Sequence, residues 1–399
     1  MQEQSAPGAA LARLLTTQGV VVDPQWHRAI LTTDRQAFLP EVIYGSDPAH
    51  PGWECPITQA DPRWERWTSG DYALVTQVDD GDPVGEQGRG RVPTSSVSQP
   101  SLVVAMLQAL DARDGHRVLE IGTGSGYNTA LLCQVLGDEA VVSVEIDSGL
   151  AKIAVDNLAE AGHHPTVLDR DGVGDPVIGV GMGTFDRVLS TVAAREEIPR
   201  AWVNQTRPGG VVVTPYQVGN TDGVLVRLEV GEDGVGTGRV MGDAPFMLLR
   251  SQRPGGRGFH DVVDETAPGV VDGHTDVNPR LVPHRDRGWQ LALGALVPGL
   301  RYASFEADAS RPEWAGEATI YVYDQTGSWA LGEYTPSGAP YEARRYGTRD
   351  LWGEVGRAWQ VWQDADRPGL SRLGVTVDDQ GTHLWVDSPN TRLDGVGLG

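Results

Sequence analysis

Short apolar runs alternate with longer amphipathic runs between residues 117 and 214. Residues 117–121 predict a buried strand, 127–136 an apolar helix, 141–145 a second strand and 149–161 an amphipathic helix. Further strands are expected at 185–190 and 211–214, followed by an antiparallel pair at 224–230 and 239–249. This alternation predicts an α/β fold built on a parallel sheet.

The segment before this core has a different pattern. Residues 9–45 carry apolar positions at helical spacing and predict an N-terminal helical cap. Residues 46–96 are rich in Pro, Gly, Asp and Trp and predict a long, mostly irregular insertion. Long segments of this kind are often functional, and the alternative is a flexible loop.

The C-terminal part differs again. Residues 251–285 carry many Gly, Pro, Arg and Asp and predict a linker between a domain at 1–250 and a small α+β accessory domain at 286–399. Strands are expected at 318–324, 328–334, 374–377 and 384–386. One helical face predicts a packed core, and it carries Leu351, Trp352, Val355, Trp359 and Trp362.

Composition narrows the classes of function. The 399 residues suit two domains, and a hydrophobic share of 40% supports a sizeable core. The 32 Lys and Arg stand against 54 Asp and Glu, and this net charge of −22 repels phosphate backbones, so nucleic acid is not an expected partner. No apolar run approaches a membrane span and no signal-peptide pattern opens the chain, so we expect a cytoplasmic protein without a membrane partner.

Cysteine and histidine give no sign of a structural framework or a metal centre. The two cysteines, Cys55 and Cys133, are too few for a disulfide framework. The nine histidines show no metal-ligand spacing, so no metal is expected.

A glycine-rich segment, Glu120–Gly126, follows the first predicted strand and precedes a helix. Gly122, Gly124 and Gly126 permit a tight turn and a close approach of ligand to backbone. Dinucleotide enzymes use a similar loop. Here, however, the glycines run GxGxG, and an acid, Glu120, closes the strand, which suits a cationic amino-acid ligand better than a pyrophosphate. The pattern favours S-adenosylmethionine as the cofactor.

Two further predicted strands also end near acids. Glu145 closes the second strand, where a ribose diol is normally held, and the alternative is a solvated carboxylate. Asp171, followed by Gly172, stands at the end of a third strand and can accept a hydrogen bond from an adenine amino group. Without that position, Asp-Gly predicts only a turn.

A series of motifs recurs in a fixed order between about residues 10 and 230: Asp34–Phe38 with Tyr44, Val97–Pro100, Val118–Tyr127, Val144–Ile146, Asp171–Gly172, Phe185–Arg187, Ile198–Pro199 and Pro208–Gly210. With these motifs the region resembles a protein-L-isoaspartate O-methyltransferase. The resemblance implies a Rossmann-like class I methyltransferase sheet, S-adenosylmethionine as cofactor, and a carboxylate of a peptide or protein bearing Asp or isoaspartate as methyl acceptor.

The Ser-Gln-Pro element is the most distinctive of these segments. The resemblance implies that Ser98 binds the substrate carboxylate as the catalytic residue; the same serine is also a candidate N-cap for a helix opening near Pro100, and one serine can do both. The cofactor-binding residues implied by motif and resemblance together are Ser96, Val97, Glu120, Gly122, Thr123, Gly124, Gly126, Glu145, Ile146, Asp171 and Gly172.

The chain also departs from the repair enzymes of this family. Its insertion at 46–96 is longer than theirs, and we expect the C-terminal addition of about 150 residues to be absent from them. The whole chain is similar to actinobacterial variants associated with ribosomally made peptides, which implies methylation of an aspartate in a precursor peptide and closure to an aspartimide. Isoaspartate repair, methylation of a small-molecule carboxylate and non-catalytic peptide binding are the alternatives.

Overall fold

The structure, a computed structural model, describes residues 6–47, 49–174, 183–308, 310–311 and 314–393. The helices are α1 (Ala9–Thr17), α2 (Pro24–Thr32), α3 (Trp64–Thr68), α4 (Pro100–Leu110), α5 (Tyr127–Leu136), α6 (Ser148–Glu160), α7 (Arg200–Gln205), α8 (Phe259–Val262), α9 (Arg287–Leu296) and α10 (Leu351–Asp364). The first ten strands are β1 (Val42–Ser46), β2 (Glu54–Thr58), β3 (Leu74–Val78), β4 (Pro93–Val97), β5 (Val118–Ile121), β6 (Val141–Glu145), β7 (Thr166–Asp169), β8 (Phe185–Ser190), β9 (Ala194–Arg195) and β10 (Thr206–Gln217). The remaining strands are β11 (Val224–Val230), β12 (Gly236–Asp243), β13 (Val271–Thr275), β14 (Arg301–Glu306), β15 (Ala318–Tyr323), β16 (Trp329–Tyr334), β17 (Tyr341–Tyr346), β18 (Leu373–Asp378) and β19 (Gly381–Val386).

The central sheet has the strand order β19-β18-β12-β11-β10-β8-β5-β6-β7. Its β10, β8, β5, β6 and β7 run parallel, whereas β11, β12, β18 and β19 join it as antiparallel neighbours. The predicted α/β fold is confirmed. Strand β5 pairs with β6 on one side and with β8 on the other. The order in which the chain adds strands to the sheet therefore reverses at β5, and open α/β sheets bind ligands at such a switch point.

Two apolar cores cover the two faces of this sheet. Alternate residues of β10 point to opposite faces, so Val211 and Val213 enter one core and Val212 enters the other. The first core includes Trp26 of α2 and residues of α4 and α5, while the second includes Trp202 of α7 and residues of α9 and α10. The C-terminal helices therefore share a core with the sheet.

The N-terminal region only partly matches the sequence prediction. Helices α1 and α2 are present, but residues 42–46 form a strand instead of continuing the helical cap. The expected irregular insertion is wrong in part, because β1–β4 form a four-stranded antiparallel sheet in the order β2-β1-β3-β4. Ile43, Ile57 and Leu74 fill its small core. These strands have only five residues each, so the Pro- and Gly-rich connections between them dominate the composition.

The C-terminal region contains a five-stranded antiparallel sheet in the order β13-β17-β16-β15-β14. Strands β18 and β19 leave it and extend the central sheet, where Gly236 of β12 pairs with Val377 of β18. The expected linker at 251–285 includes α8 and β13. Backbone pairing thus crosses the predicted boundaries, and the division into 1–250, 251–285 and 286–399 remains a proposal. Among the described residues, no helix combines the length and apolar character needed to cross a membrane.

Candidate active site

A cavity of about 240 Å³ opens at the carboxyl ends of β5 and β6. Its wall combines the glycine-rich loop after β5, residues of β3 and β4, and the segment 245–250. Of the site residues expected from the sequence, all except Glu120 and Gly126 line it: Ser96, Val97, Ser98, Gly122, Thr123, Gly124, Glu145, Ile146, Asp171 and Gly172.

Glu120 lies beneath the glycine-rich loop and has no exposed surface. Its Oε1 accepts a hydrogen bond from Asn128 Nδ2 at 2.6 Å, and its Oε2 accepts from Thr129 Oγ1 at 2.5 Å and Ser143 Oγ at 2.6 Å. Burial raises the pKa of the Glu120 carboxyl, although the three hydrogen bonds oppose this shift. Glu120 thus ties β5, α5 and β6 together behind the loop, and Asn128 connects it to the cavity wall. Its part in cofactor binding remains a prediction.

Gly126 and Gly172 are explained by close packing. Gly126 precedes α5 with φ at 97°, and a Cβ there would lie 3.1 Å from Leu158 Cγ on α6. A Cβ on Gly172 would lie 2.7 Å from Ile121 Cγ2 at the end of β5. Gly126 thus serves the packing of α5 against α6, which accounts for its position outside the cavity wall, whereas Gly172 lets the Asp171 segment lie against β5.

Glu145 closes β6 at the cavity and is 7% exposed. Its carboxylate accepts hydrogen bonds from the amides of Gly124 at 2.9 Å and Asp147 at 3.0 Å. Burial raises the pKa of the Glu145 carboxyl, and the hydrogen bonds from the two backbone amides oppose this shift. A carboxylate has roughly four acceptor positions, so Glu145 keeps capacity for the two hydroxyls of a ribose. This acceptor set fits the nucleoside part of S-adenosylmethionine.

Asp171 is exposed at the cavity, beyond the end of β7. Its Oδ1 accepts a hydrogen bond from the Val173 amide at 3.1 Å, which fixes the turn. The second oxygen is not needed for that turn. The adenine contact of Asp171 remains a prediction.

Ser98 follows β4 and lines the cavity. The N-cap of α4 is Gln99, without a side-chain capping bond, and the Ser101 amide donates instead to Asp71 Oδ1 at 2.8 Å. The alternative role of Ser98 as the N-cap is therefore wrong, because Asp71 satisfies the helix end from the preceding loop.

The segment 245–250 is the part of the site that sequence analysis missed. We expected the strand at 239–249 to include it, but β12 ends at Asp243 and residues 245–250 line the cavity. Ala193 holds the segment by accepting from the Leu249 amide at 2.9 Å and donating to the Met247 carbonyl at 2.7 Å. Pro245 was the available signal, since proline rarely continues a strand interior.

Ion pairs join residues 250 and 253 to the connection after β3 and to the start of α6. Arg253 Nη1 lies 2.7 Å from Asp80 Oδ1 and 2.8 Å from Oδ2. Arg250 Nη2 lies 3.1 Å from Asp80 Oδ1 and 3.1 Å from Asp147 Oδ2. Because both arginines line the cavity, these pairs fasten the connection after β3 and the start of α6 to the 245–253 segment.

Metal ligands were not expected from the sequence. Among the described residues, two groups of side chains bring potential ligand atoms within 4.8 Å of one another: Asp47, His50 and Cys55, and Cys133, Asp138 and His163. None of these residues lines the cavity. Burial raises the pKa of the Cys133 thiol, which opposes the thiolate form that metals bind. The absence of a metal remains a prediction.

The parallel sheet, its GxGxG loop and the acid closing β6 define a class I S-adenosylmethionine-dependent methyltransferase fold. The model of the family Protein-L-isoaspartate(D-aspartate) O-methyltransferase matches residues 66–253. A Protein-L-isoaspartate O-methyltransferase 1 from Anaeromyxobacter sp. (strain Fw109-5) is 34% identical over 228 residues, which cover 57% of this chain and 88% of the relative. The chain belongs to the protein-L-isoaspartate O-methyltransferase family, whose cofactor is S-adenosylmethionine.

Other relatives match a shorter part. Protein-L-isoaspartate O-methyltransferase 2 from Rhodopseudomonas palustris (strain HaA2) is 41% identical over 140 residues, or 35% of this chain, and the chain spans only 62% of that relative's length.

A solved structure of a protein-L-isoaspartate O-methyltransferase aligns with 95% of this chain and 99% of its own, with a TM-score of 0.50 and 20% identity. This likeness concerns the fold alone. The alignment extends into the C-terminal region, so that solved protein also has an addition of this kind, against the expectation that the repair enzymes lack it.

Proposed function

We propose that this chain is an S-adenosylmethionine-dependent O-methyltransferase that esterifies a carboxylate of isoaspartate in proteins or peptides. The observation that carries the proposal is one cavity that joins Ser98 to the glycine-rich loop and to Glu145. The named relatives favour isoaspartate over other acceptors. The cytoplasmic location expected from the sequence belongs to this proposal.

The reaction asks little acid–base chemistry of the protein. A carboxyl group with a pKa of about 3.9 is ionised at neutral pH, so no general base is needed. When bound, S-adenosylmethionine supplies an activated methyl group, and transfer to the carboxylate leaves a neutral ester and a neutral thioether.

The protein contributes orientation and the exclusion of water. The Ser98 hydroxyl donates a hydrogen bond to one carboxylate oxygen, and this contact directs the other oxygen toward the methyl group. Apolar lining residues, including Leu102, Val103 and Phe246, keep water away while the two opposite charges combine. Glu145 holds the ribose. Asn128, which lines the cavity, is held in place by its hydrogen bond to the buried Glu120.

Methylation of an ordinary aspartate in a ribosomally made precursor peptide, with closure to an aspartimide, is a second candidate. The observation that favours it is the four-stranded sheet β1–β4, which contributes Val75, Thr94 and Ser95 to the cavity wall and so adds surface for choosing one peptide. The family relatives favour isoaspartate instead, so we rank this candidate lower.

Matched synthetic peptides that contain isoaspartate or aspartate at one position test the proposal. After incubation with S-adenosylmethionine, mass spectrometry should show one added methyl group on the isoaspartyl peptide, followed by loss of water relative to the starting peptide as the ring closes. Methylation of a neighbouring-gene precursor peptide alone would favour the second candidate. Cofactor binding without methylation of any peptide would overturn both and favour a small-molecule carboxylate or a binding role.

A further inference from the structure

Arg35 is a buried cation directly behind the Ser98 backbone. It lies in a short 3-10 helix between α2 and β1 and is 4% exposed. Its Nη2 donates to the carbonyls of Tyr72 at 2.7 Å, Ser98 at 3.2 Å and Val97 at 3.3 Å, and its Nη1 donates to the Thr68 carbonyl at 3.4 Å. One guanidinium thus joins its own helix to two segments that are distant in sequence, 68–72 and 97–98.

Among the described residues, no carboxylate lies within 4.0 Å of the Arg35 guanidinium. Burial lowers the pKa of Arg35 to about 10, with Tyr127 and Asp71 as the nearby groups that oppose the shift. It therefore stays charged at neutral pH. The Nη atoms of Arg35 have carbonyl partners, but its buried Nε has no hydrogen-bond partner among the described residues. A buried cation paired in this way is costly, so general stabilisation of the fold is a poor explanation for its presence.

Asp71 contacts the same segment, residues 97–101, but as a hydrogen-bond acceptor where Arg35 is a donor. Its Oδ1 accepts from the Ser101 amide at 2.8 Å, and its Oδ2 accepts from Gln99 Nε2 at 3.1 Å. We call residues 97–101 the serine loop. Arg35 holds the carbonyls at the start of this loop, and Asp71 holds an amide at its end.

We propose that Arg35 and Asp71 are positioning residues that fix the serine loop and thereby aim the Ser98 hydroxyl into the cavity. This inference rests on the role of Ser98 in the proposed function. Thr68 ends α3 and Tyr72 lies in the loop that leads to β3, so the same contacts couple the four-stranded sheet β1–β4 to Ser98. A lysine at position 35 keeps the charge but cannot reproduce the planar fork that reaches several carbonyls at once.

The control is a second buried arginine. Arg187 is 7% exposed and donates to the carbonyls of Leu110, Asp111 and Asp186, but it does not line the cavity and has no contact with residues 97–101 among its hydrogen bonds. Arg35→Lys, Arg35→Met and Asp71→Asn are compared with Arg187→Lys for melting temperature, S-adenosylmethionine affinity, and kcat and KM on the isoaspartyl peptide.

We expect Arg35→Lys and Arg187→Lys to lower the melting temperature similarly. Only the Arg35 and Asp71 variants should lose kcat, by about ten- to hundredfold, because misplacing a catalytic group by about 1 Å has an effect of this size. Cofactor affinity should stay within about twofold, and Arg35→Lys should retain more activity than Arg35→Met. If Arg35→Met does not fold, the lysine and Asp71 variants carry the comparison.

Retention of full kcat in folded Arg35→Lys and Asp71→Asn, or an equal loss in Arg187→Lys, would overturn the inference. Hydrogen exchange gives a readout that does not need activity, since amides of the serine loop should exchange faster in the Arg35 and Asp71 variants than in Arg187→Lys. If the wild type methylates no peptide, the proposed function fails. Unchanged exchange in the serine loop instead removes the positioning role.

Discussion

The ring of Trp289 meets Trp359 edge to face, with centroids 4.9 Å apart and planes at 89°. Trp289 lies on α9, has no exposed surface, and donates from Nε1 to the Leu281 carbonyl at 2.6 Å. Both rings belong to or pack against the core that covers one face of the central sheet. A contact inside the C-terminal region thus supports the sheet that carries the cavity.

Trp289→Ala should destabilise the whole protein by about 3–5 kcal/mol, because it leaves a large cavity in this shared core. We expect one unfolding transition, with hydrogen-exchange protection in β6 lost together with that in α10. Trp314→Ala is the control, since that side chain is 41% exposed. Early loss of protection in the C-terminal region alone would favour independent domains.

Glu145→Gln should weaken S-adenosylmethionine binding by about 1.5–3 kcal/mol, the usual contribution of hydrogen bonds to a charged group. The side-chain amide of the introduced glutamine has only one acceptor oxygen. It cannot accept from two ribose hydroxyls while it also accepts from the backbone N–H groups of Gly124 and Asp147. Titration calorimetry measures the change, and exposed Glu139→Gln is the control. Unchanged affinity in a folded Glu145→Gln protein would remove Glu145 from the site.

Cofactor affinity should also depend on pH through Glu145. Burial raises the pKa of this carboxyl above its usual 4.5, so it takes up a proton earlier than an exposed glutamate as the pH falls. Affinity should be complete well above the raised pKa and decline as the pH drops through it. The difference between wild-type and Glu145→Gln profiles isolates this component from Glu120, whose pKa is also raised by burial. Parallel profiles would contradict the prediction.

Ser98→Ala should lower turnover about ten- to hundredfold, because a hydrogen bond to a charged carboxylate is lost. Melting temperature and cofactor affinity should stay near wild type, since α4 is capped through Asp71 rather than by Ser98. Exposed Ser304→Ala is the control for the substitution itself. Turnover within a fewfold of wild type would exclude a catalytic role.

Asp80→Asn should speed dissociation of the cofactor. The change removes the charge that pairs with Arg250 and Arg253, so residues 245–253 lose their ion pairs to the connection after β3. These pairs are partly exposed, and we expect a two- to fivefold effect, about the value of an exposed ion pair. Stopped-flow measurements at low and high salt check it, with exposed Asp82→Asn as control. A rate unaffected by both substitution and salt would contradict the role.

The parallel core could be predicted closely from the sequence because each element there has its own apolar run. The observed bounds of α5, β6, β8 and β11 are the predicted ones. The same reasoning found the residues at the ends of β5 and β6, since strand ends and glycine spacing are local signals.

The remaining parts depend on contacts between distant residues. The strands around Ile43 and Ile57 are too short to produce a periodic signal, so their loops masked them. The burial of Glu120 becomes visible only once Thr129 and Ser143 meet it from neighbouring elements. Likewise, within the described part of the chain, the carbonyls that Arg35 contacts are at least 33 positions away in sequence.

The pairing of β12 with β18 has a consequence for synthesis on the ribosome. Gly236 meets its partner Val377 only after about 140 more residues have been made. Synthesis proceeds at about 5–20 residues per second, so the backbone groups on the outer edge of β12 stay unpaired for roughly 7 to 28 seconds. Open strands of this kind invite pairing with other chains. The nascent protein is therefore most exposed to misassembly during an interval when the residues around its cavity have already left the ribosome.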